Sequence, residues 1–134
     1  MRFYVIPGDP TPLQRARLSS FKKVYDPQKN QKLLAGIALS AQHNDQPLFE
    51  GALNLDVIFF MKTPIKKRNQ LMGKPHATKA DLDNLIKFCC DVGNNILWHD
   101  DAQISQISAK KIYDPNPRTE FTIIELKNPK VDLK

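Results

Sequence analysis

A chain of 134 residues is one domain long, enough to bury a core without disulfide or metal staples. With 41% hydrophobic and 25% charged residues it reads as a folded globular protein, which excludes a disordered chain. It carries a net charge of +6 and a pI near 9.4, which makes a polyanion the natural partner.

There is no apolar run of about eighteen residues, and the N-terminal apolar stretch is too short for a signal peptide, so a cytosolic protein without a membrane partner is expected. The ten prolines are spread over short loops and there is no internal repeat, so residues 1–134 are expected to form one domain. Cys89 and Cys90 are adjacent in a predicted helix. That geometry forbids an ordinary mutual disulfide and lacks zinc-ligand spacing, so both read as small core residues.

Residues 2–6 (R-F-Y-V-I) predict a strand stopped by Pro7-Gly8. The following loop presents Arg15 and Arg17 two residues apart. In extended backbone both face one side, which suits two phosphates on one strand as well as it suits plain solvation; Lys22 and Lys23 extend the positive charge. From Asp26 to His43 a helix is predicted, with Asp26 as N-cap, Pro27 at its first position, and Leu33, Leu34, Ile37, Ala38 and Ala41 as its apolar face. Residues 52–61 alternate apolar and mixed positions and predict a strand that is half-buried at its start and fully buried at its end.

The segment from Val57 to Ala80 contains no acidic residue, yet it holds Lys62, Lys66, Lys67, Arg68, Lys74 and Lys79. A long loop of one sign favours a nucleic-acid clamp over a merely solvated loop. Leu82, Leu85, Ile86 and Cys89 follow helical spacing, which predicts an amphipathic helix from 82 to about 92 with its stop at Gly93-Asn94-Asn95. Ile96-Leu97-Trp98 should re-enter the core and His99-Asp100-Asp101 should turn. The segments I-S-Q-I-S-A-K-K-I-Y and T-E-F-T-I-I-E-L flank D-P-N-P and read as an antiparallel hairpin, followed by a fraying tail. The fold class is therefore α/β (α+β): a mixed four-stranded sheet with two main helices in the order β-α-β-α-β-β.

Five of the fourteen acidic residues, Asp81, Asp83, Asp91, Asp100 and Asp101, lie between Lys79 and Gln103 of this basic chain. Asp83, Lys87 and Asp91 are four apart and form one polar stripe, which surface ion pairing alone would explain. Asp81 falls at the helix start, where it can converge with Asp83 or serve as a cap. The return of the chain after the helix can bring Asp100 or Asp101 to that end. Carboxylates about 4 Å apart repel by roughly 4 kcal/mol at an effective dielectric of 20, so such a cluster calls for a proton or a cation. An all-oxygen set suits Mg²⁺, and Lys87 could orient a water or stabilise transition-state charge. The three histidines, His43, His76 and His99, have no ligand pattern.

At these residues the chain resembles the RusA family of Holliday junction resolvases. The likeness rests on D-L-D-N-L-I-K (Asp81 to Lys87), Asp91, and L-W-H-D-D-A-Q-I (Leu97 to Ile104), with G-D-P-T-P-L-Q-R-A-R near the N-terminus. The chain departs from the family pattern at Val92-Gly93-Asn94-Asn95 and at Gln14, where a basic residue is common. The resemblance implies a homodimeric endodeoxyribonuclease that nicks four-way DNA symmetrically, in DNA recombination and repair, using Mg²⁺ with Mn²⁺ able to substitute. It also implies that Asp81, Asp83 and Asp101 are catalytic metal ligands, with Asp100 a further candidate ligand, Lys87 catalytic and Asp91 structural. Arg15, Arg17, Lys66, Lys67, Arg68, Lys74 and Lys79 are the candidate DNA contacts. Two other functions stay open: a broader nuclease on forks or flaps, and a junction-binding protein without nuclease activity.

Overall fold

The computed structural model describes residues 1–127; the reading of the tail as frayed falls on residues 128–134, outside the described range. Strand β1 (Arg2–Pro7) is followed by a small hairpin of β2 (Arg17–Leu18) and β3 (Val24–Tyr25). Helix α1 (Lys29–His43), strand β4 (Leu53–Lys62), the short helix α2 (Arg68–Leu71), helix α3 (Leu82–Gly93), and strands β5 (Ile104–Asp114) and β6 (Arg118–Glu125) complete the chain. The four long strands and two long helices follow the predicted order; the β2–β3 hairpin and α2 are additions to it.

The sheet order is β1-β6-β4-β5, with β4 and β5 parallel and the other pairs antiparallel. Hence β5 and β6 do not form the expected hairpin, because β4 lies between them. Leu53, Leu55, Val57, Phe59, Phe60 and Met61 make β4 the most deeply buried strand, which places it inside the sheet, while the polar β5 takes an edge. Nor can Asp114-Pro115-Asn116-Pro117 form a tight hairpin turn, since it has no glycine and two of its residues lack an N–H. Parallel pairing then requires a crossover, and α3 provides it.

The side chains of Tyr4, Ile6, Leu53, Leu55, Val57, Phe59, Phe121 and Ile123 form one buried sheet face under α1 and α3. Leu85, Phe88, Cys89 and Val92 of α3 pack there with Leu97 and Trp98. Both cysteines are free and buried. Burial first, and then the charges of Asp101 and Asp91, push the Cys90 thiol up to about 12; burial likewise raises that of Cys89. They are core residues, as expected.

Helix α1 differs from its prediction. Asp26 does not cap it: its Oδ1 accepts from the Gln28 N–H at 2.8 Å, a local turn that delays the helix to Lys29. The buried face is Ala35, Gly36, Leu39 and His43, whereas Leu33, Leu34 and Ile37 are exposed. Two apolar stripes of equal period run along this helix, and the small residues win because α1 packs close to the α3 region. A Cβ on Gly36 would lie 3.0 Å from Ile96 Cδ1. His43 is a satisfied core histidine. Its Nε2–H donates to the Pro47 carbonyl at 3.0 Å, which leaves Nδ1 to accept from the Tyr4 hydroxyl at 2.7 Å.

Candidate active site

Helix α3 carries the acidic stripe. Asp81 stands at its N-cap, and the Asp81 carbonyl accepts from the N–H groups of Asn84 and Leu85, both at 3.2 Å. The side chain of Asp81 makes no capping bond, so the capping role considered for it is not the one it has. Asp83, in the first turn, pairs with Lys87 one turn on at 3.8 Å. Both side chains are mostly exposed, at 70% and 61%, so this pair contributes at most a few tenths of a kcal/mol. Asp91 pairs not with Lys87 but with Lys32 of α1 at 2.9 Å, and Lys32 also holds Asp26 at 2.6 Å. Asp91 therefore ties α3 to α1, in line with a structural role. Burial alone would lower the Lys32 pKa, but the bonds to Asp26 and Asp91 outweigh it and raise it.

After α3 the chain doubles back. Trp98 is fully buried beneath Gly93, its Nε1–H donating to Asn94 Oδ1 at 2.9 Å, while Asn95 takes the left-handed backbone conformation of the turn at φ 64°. Gly93 was expected as the helix stop; what its missing Cβ provides is room for the indole. From Trp98, three extended residues reach at most about 10 Å. Asp81 lies about 18 Å along the helix axis from Gly93. The return accordingly brings Asp101 alongside Lys87, Cys90 and Asp91, short of the Asp81 end.

These residues, with Leu13, Ile86, Ile104 and Ile107, line a cleft of about 300 Å³. A larger cavity of about 390 Å³, between the end of β1 and the two long helices, is lined chiefly by apolar groups and contains none of the candidate site residues. The smaller cleft is the one that holds candidate site residues, Lys87 and Asp101.

The Asp100-Asp101 turn is held firmly. Asp100 Oδ1 accepts from the Ala102 N–H at 2.9 Å, and Gln103 Oε1 accepts from the N–H groups of His99 and Asp100 at 2.8 and 3.1 Å. Gln103 Nε2 then donates to the carbonyls of Phe49 and Gly51, fixing the turn to the body. His99 Nε2 contacts Glu50 Oε1 at 2.9 Å at the edge of this turn. Partial burial, and then the hydrogen bond and charge of Asp100 and the charge of Asp91, raise the Asp101 pKa; the Ala102 N–H and Asp101 itself lower that of Asp100. A raised carboxyl beside further carboxylates marks a place where a cation would be welcome.

The donor chemistry suits a hard divalent cation: all oxygen, with Asp81 uncommitted to its cap and Asp83 only loosely paired. Among the described residues, however, no three His, Cys, Asp or Glu side chains lie close enough to share an ion. The structure brings together Lys87, Asp91 and Asp101, joins Asp83 to Lys87, and leaves Asp81 at the far end of the stripe.

The candidate DNA contacts are all exposed, and none forms an ion pair among the described residues. Lys66 and Lys67 lie in a 3₁₀ turn (Ile65–Lys67), Arg68 opens α2, and Lys74 and Lys79 follow. The loop carrying them is docked on the outer edge of β5. The N–H groups of Gly73 and His76 bond the carbonyls of Tyr113 and Lys111, and the Tyr113 N–H bonds Lys74. Gly73 turns at φ 80°, a conformation that favours glycine.

A family model for endodeoxyribonuclease RusA matches residues 7–124, nearly the whole described chain. The chain belongs to the RusA family. Membership places it among enzymes that hydrolyse DNA phosphodiester bonds. It is also 30% identical over 135 aligned residues to the uncharacterized protein YqaN of Bacillus subtilis (strain 168), an alignment covering 92% of this chain and 95% of YqaN. The RusA match takes in Arg15 through Asp101 and so includes every candidate site residue. No helix among the described residues is long and apolar enough to cross a membrane.

Three residues that position this RusA-family site have no signal in the sequence. Lys111 of β5 reaches across to the carbonyls of Thr78 and Ala80, at 2.5 and 2.6 Å, and so holds the loop segment that leads into Asp81. Gln28, buried, donates to the Pro12 carbonyl at 2.6 Å and accepts from the Gln14 N–H at 2.8 Å. Lys32 clamps the two long helices as described above. Each acts through a partner far away in sequence, so spacing reveals none of them. Gln103 is the exception, since its place two residues after Asp101 in L-W-H-D-D-A-Q fits a capping box that spacing could have suggested.

Proposed function

We propose that this protein is a metal-dependent endodeoxyribonuclease that resolves four-way DNA junctions by paired nicks, acting as a homodimer in recombination and repair. The observation that carries this reading is the cleft where Lys87 meets Asp101, with Asp83 paired to Lys87, in a chain whose seven candidate phosphate contacts are all exposed and have no acidic partner among the described residues. Asp81, Asp83 and Asp101, with Asp100 beside Asp101, would hold the cation, Mg²⁺ or Mn²⁺ in its place, once drawn together from the positions described above. When bound, the ion supplies Lewis acidity toward a phosphoryl oxygen and lowers the pKa of a coordinated water.

The remaining work falls to the chain itself. Lys87, between Asp83 and Asp101, orients the attacking water and stabilises charge on the phosphorane-like transition state. In-line attack forms a new P–O bond and breaks the bond to the 3′ oxygen, which leaves as a 3′-hydroxyl and gives a 5′-phosphate that a ligase can reseal. Arg15, Arg17, Lys66, Lys67, Arg68, Lys74 and Lys79 hold backbone phosphates. Affinity should therefore fall steeply with salt and depend little on base sequence. Two copies related by a two-fold axis would present two such clefts to two strands.

One observation favours a second reading, a junction-binding protein without nuclease activity: no three potential ligands are gathered among the described residues. A substrate panel decides between them. With Mg²⁺ or Mn²⁺ the native protein should nick a synthetic four-way junction in preference to forks, flaps and linear duplex. Binding without nicking under both metals would establish the second reading, and equal cutting of forks and flaps would broaden the substrate class.

Lys111 provides a narrower check. Lys111→Met removes both bonds to the segment before Asp81, and misplacing a ligand by about 1 Å costs on the order of 100-fold in rate. The expected result is cleavage reduced about 10- to 100-fold, a higher metal concentration for half-maximal rate, and recovery in Lys111→Arg, which keeps donors for two carbonyls. Native metal dependence in Lys111→Met would show the contact to be incidental.

A further inference from the structure

The β2–β3 hairpin leaves the body of the protein and presents an aromatic ring at its tip. Its strands pair through Arg17 with Tyr25 and Leu18 with Val24. Its turn is internally built: the Ser19 N–H bonds the Lys23 carbonyl at 2.8 Å, and Ser19 Oγ accepts from the N–H groups of Phe21 and Lys23. Phe21 is 85% exposed, and Leu18, Val24 and Tyr25 are exposed beside it. From Thr11 to Tyr25 there is no acidic residue, while Arg15, Arg17, Lys22 and Lys23 all face solvent.

The root of this hairpin is fastened to the candidate site. The Leu13 N–H donates to the carbonyl of Asn84, the residue after Asp83, at 2.9 Å, and Leu13 lines the cleft with Lys87 and Asp101. Buried Gln28 holds Pro12 and Gln14 on the other side. The tip thus projects from the rim of the cleft on a fixed base.

An exposed phenylalanine followed directly by two exposed lysines suits few partners. The core of a protein–protein interface is depleted in lysine, so an apolar protein surface would have to bury Lys22 and Lys23 with Phe21. A nucleobase meets both demands, because it offers a flat π face and is flanked by phosphates. Within intact duplex that face is covered by its stacked neighbours. At a branch point stacking is interrupted and the face can be reached.

We infer that the hairpin is a branch-point reader: Phe21 stacks on an unstacked nucleobase where the arms of branched DNA meet, while Arg15, Arg17, Lys22 and Lys23 hold the flanking phosphates. This rests on the branched-DNA reading above and adds the element that recognises the branch.

The test uses the full-length protein without divalent metal, so that binding is read without cleavage. The probe is a four-way junction carrying 2-aminopurine beside the crossover, with a linear duplex of equal length as control. Phe21→Ala should weaken junction binding about tenfold more than duplex binding. It should also lose most of the change in 2-aminopurine fluorescence that the native protein causes. Phe21→Trp should restore both and show quenching of the new tryptophan on the junction. The tip makes no core contact, so thermal stability should be unaltered in both variants. A Phe21→Ala protein with native junction preference and native fluorescence change overturns the inference. So does one whose only defect is a weakened dimer in sedimentation, which would make the tip a surface for a second copy. A native protein with no preference for branched over linear DNA defeats the functional reading itself, and that is seen before any substitution is made.

Discussion

Replacing Asp83 by asparagine should give a protein that folds, binds branched DNA at least as tightly as the native chain, and no longer nicks it. The fold is safe because Asp83 is 70% exposed and its pair with Lys87 at 3.8 Å is a screened surface contact. Binding holds or tightens because one negative charge is removed from a surface that must approach phosphates. Cleavage should fall at least about 100-fold, since losing a ligand forfeits part of a charge stabilisation worth several kcal/mol, and each 1.36 kcal/mol is a factor of ten. Gel shift on a junction and single-turnover cleavage at saturating protein separate the two effects. Undiminished cleavage would return Asp83 and Lys87 to a plain surface ion pair.

The largest expected effect on stability lies at Gly93. A Cβ there would sit 2.2 Å from Trp98 Cζ2 and 2.6 Å from Cη2. The indole cannot withdraw: it is fully buried and bonded through Nε1 to Asn94, and the Trp98 backbone carbonyl accepts from the Asn95 N–H at 2.7 Å. Overpacking a rigid core commonly costs 1–3 kcal/mol, and here the clash is with a ring, so Gly93→Ala should lose about 3 kcal/mol or more. For a chain of this size that is a fall in Tm of roughly 10 °C or more. Gly36→Ala makes the contrast, since its Cβ would meet only the tip of Ile96 at 3.0 Å and it gains helix propensity, so its change should stay within about 1 kcal/mol. Because Trp98 leads directly into Asp100-Asp101, Gly93→Ala should also lose cleavage at temperatures where it remains folded. Equal melting of Gly93→Ala and the native protein would mean that the packing of Trp98 is not as described.

What could be read from the residues divides along a physical line. Local patterns carried: the alternation in β4, the amphipathic run of α3, and the basic segment from Val57 to Ala80 all correspond to observed features. Competitions between distant partners did not. The larger leucines of α1 looked like its core face, but close packing near Ile96 selects the small residues Ala35 and Gly36. The last two strands looked like a hairpin because they are adjacent in sequence, whereas the more apolar β4 claims the place between them. At the site, spacing along one helix grouped Asp83, Lys87 and Asp91; the Asp83–Lys87 pair is present, but Asp91 answers to Lys32 on another helix. The position of Asp101 depends on where Trp98 is buried, which no periodicity reports.

Electrostatics gives the site its direction. The Asp101 pKa is raised by its partial burial and by Asp100 and Asp91, while the chain as a whole carries +6. Carboxylates clustered in a positive protein favour a cation locally and a polyanion globally.

Calorimetric titration of divalent metal into the native protein and into Asp81→Asn, paired with junction cleavage by each, addresses this most directly. The account predicts that the native protein binds Mn²⁺ or Mg²⁺ and cleaves, and that both properties disappear together in Asp81→Asn while its Tm stays the same. Metal binding and cleavage that persist in Asp81→Asn would contradict it.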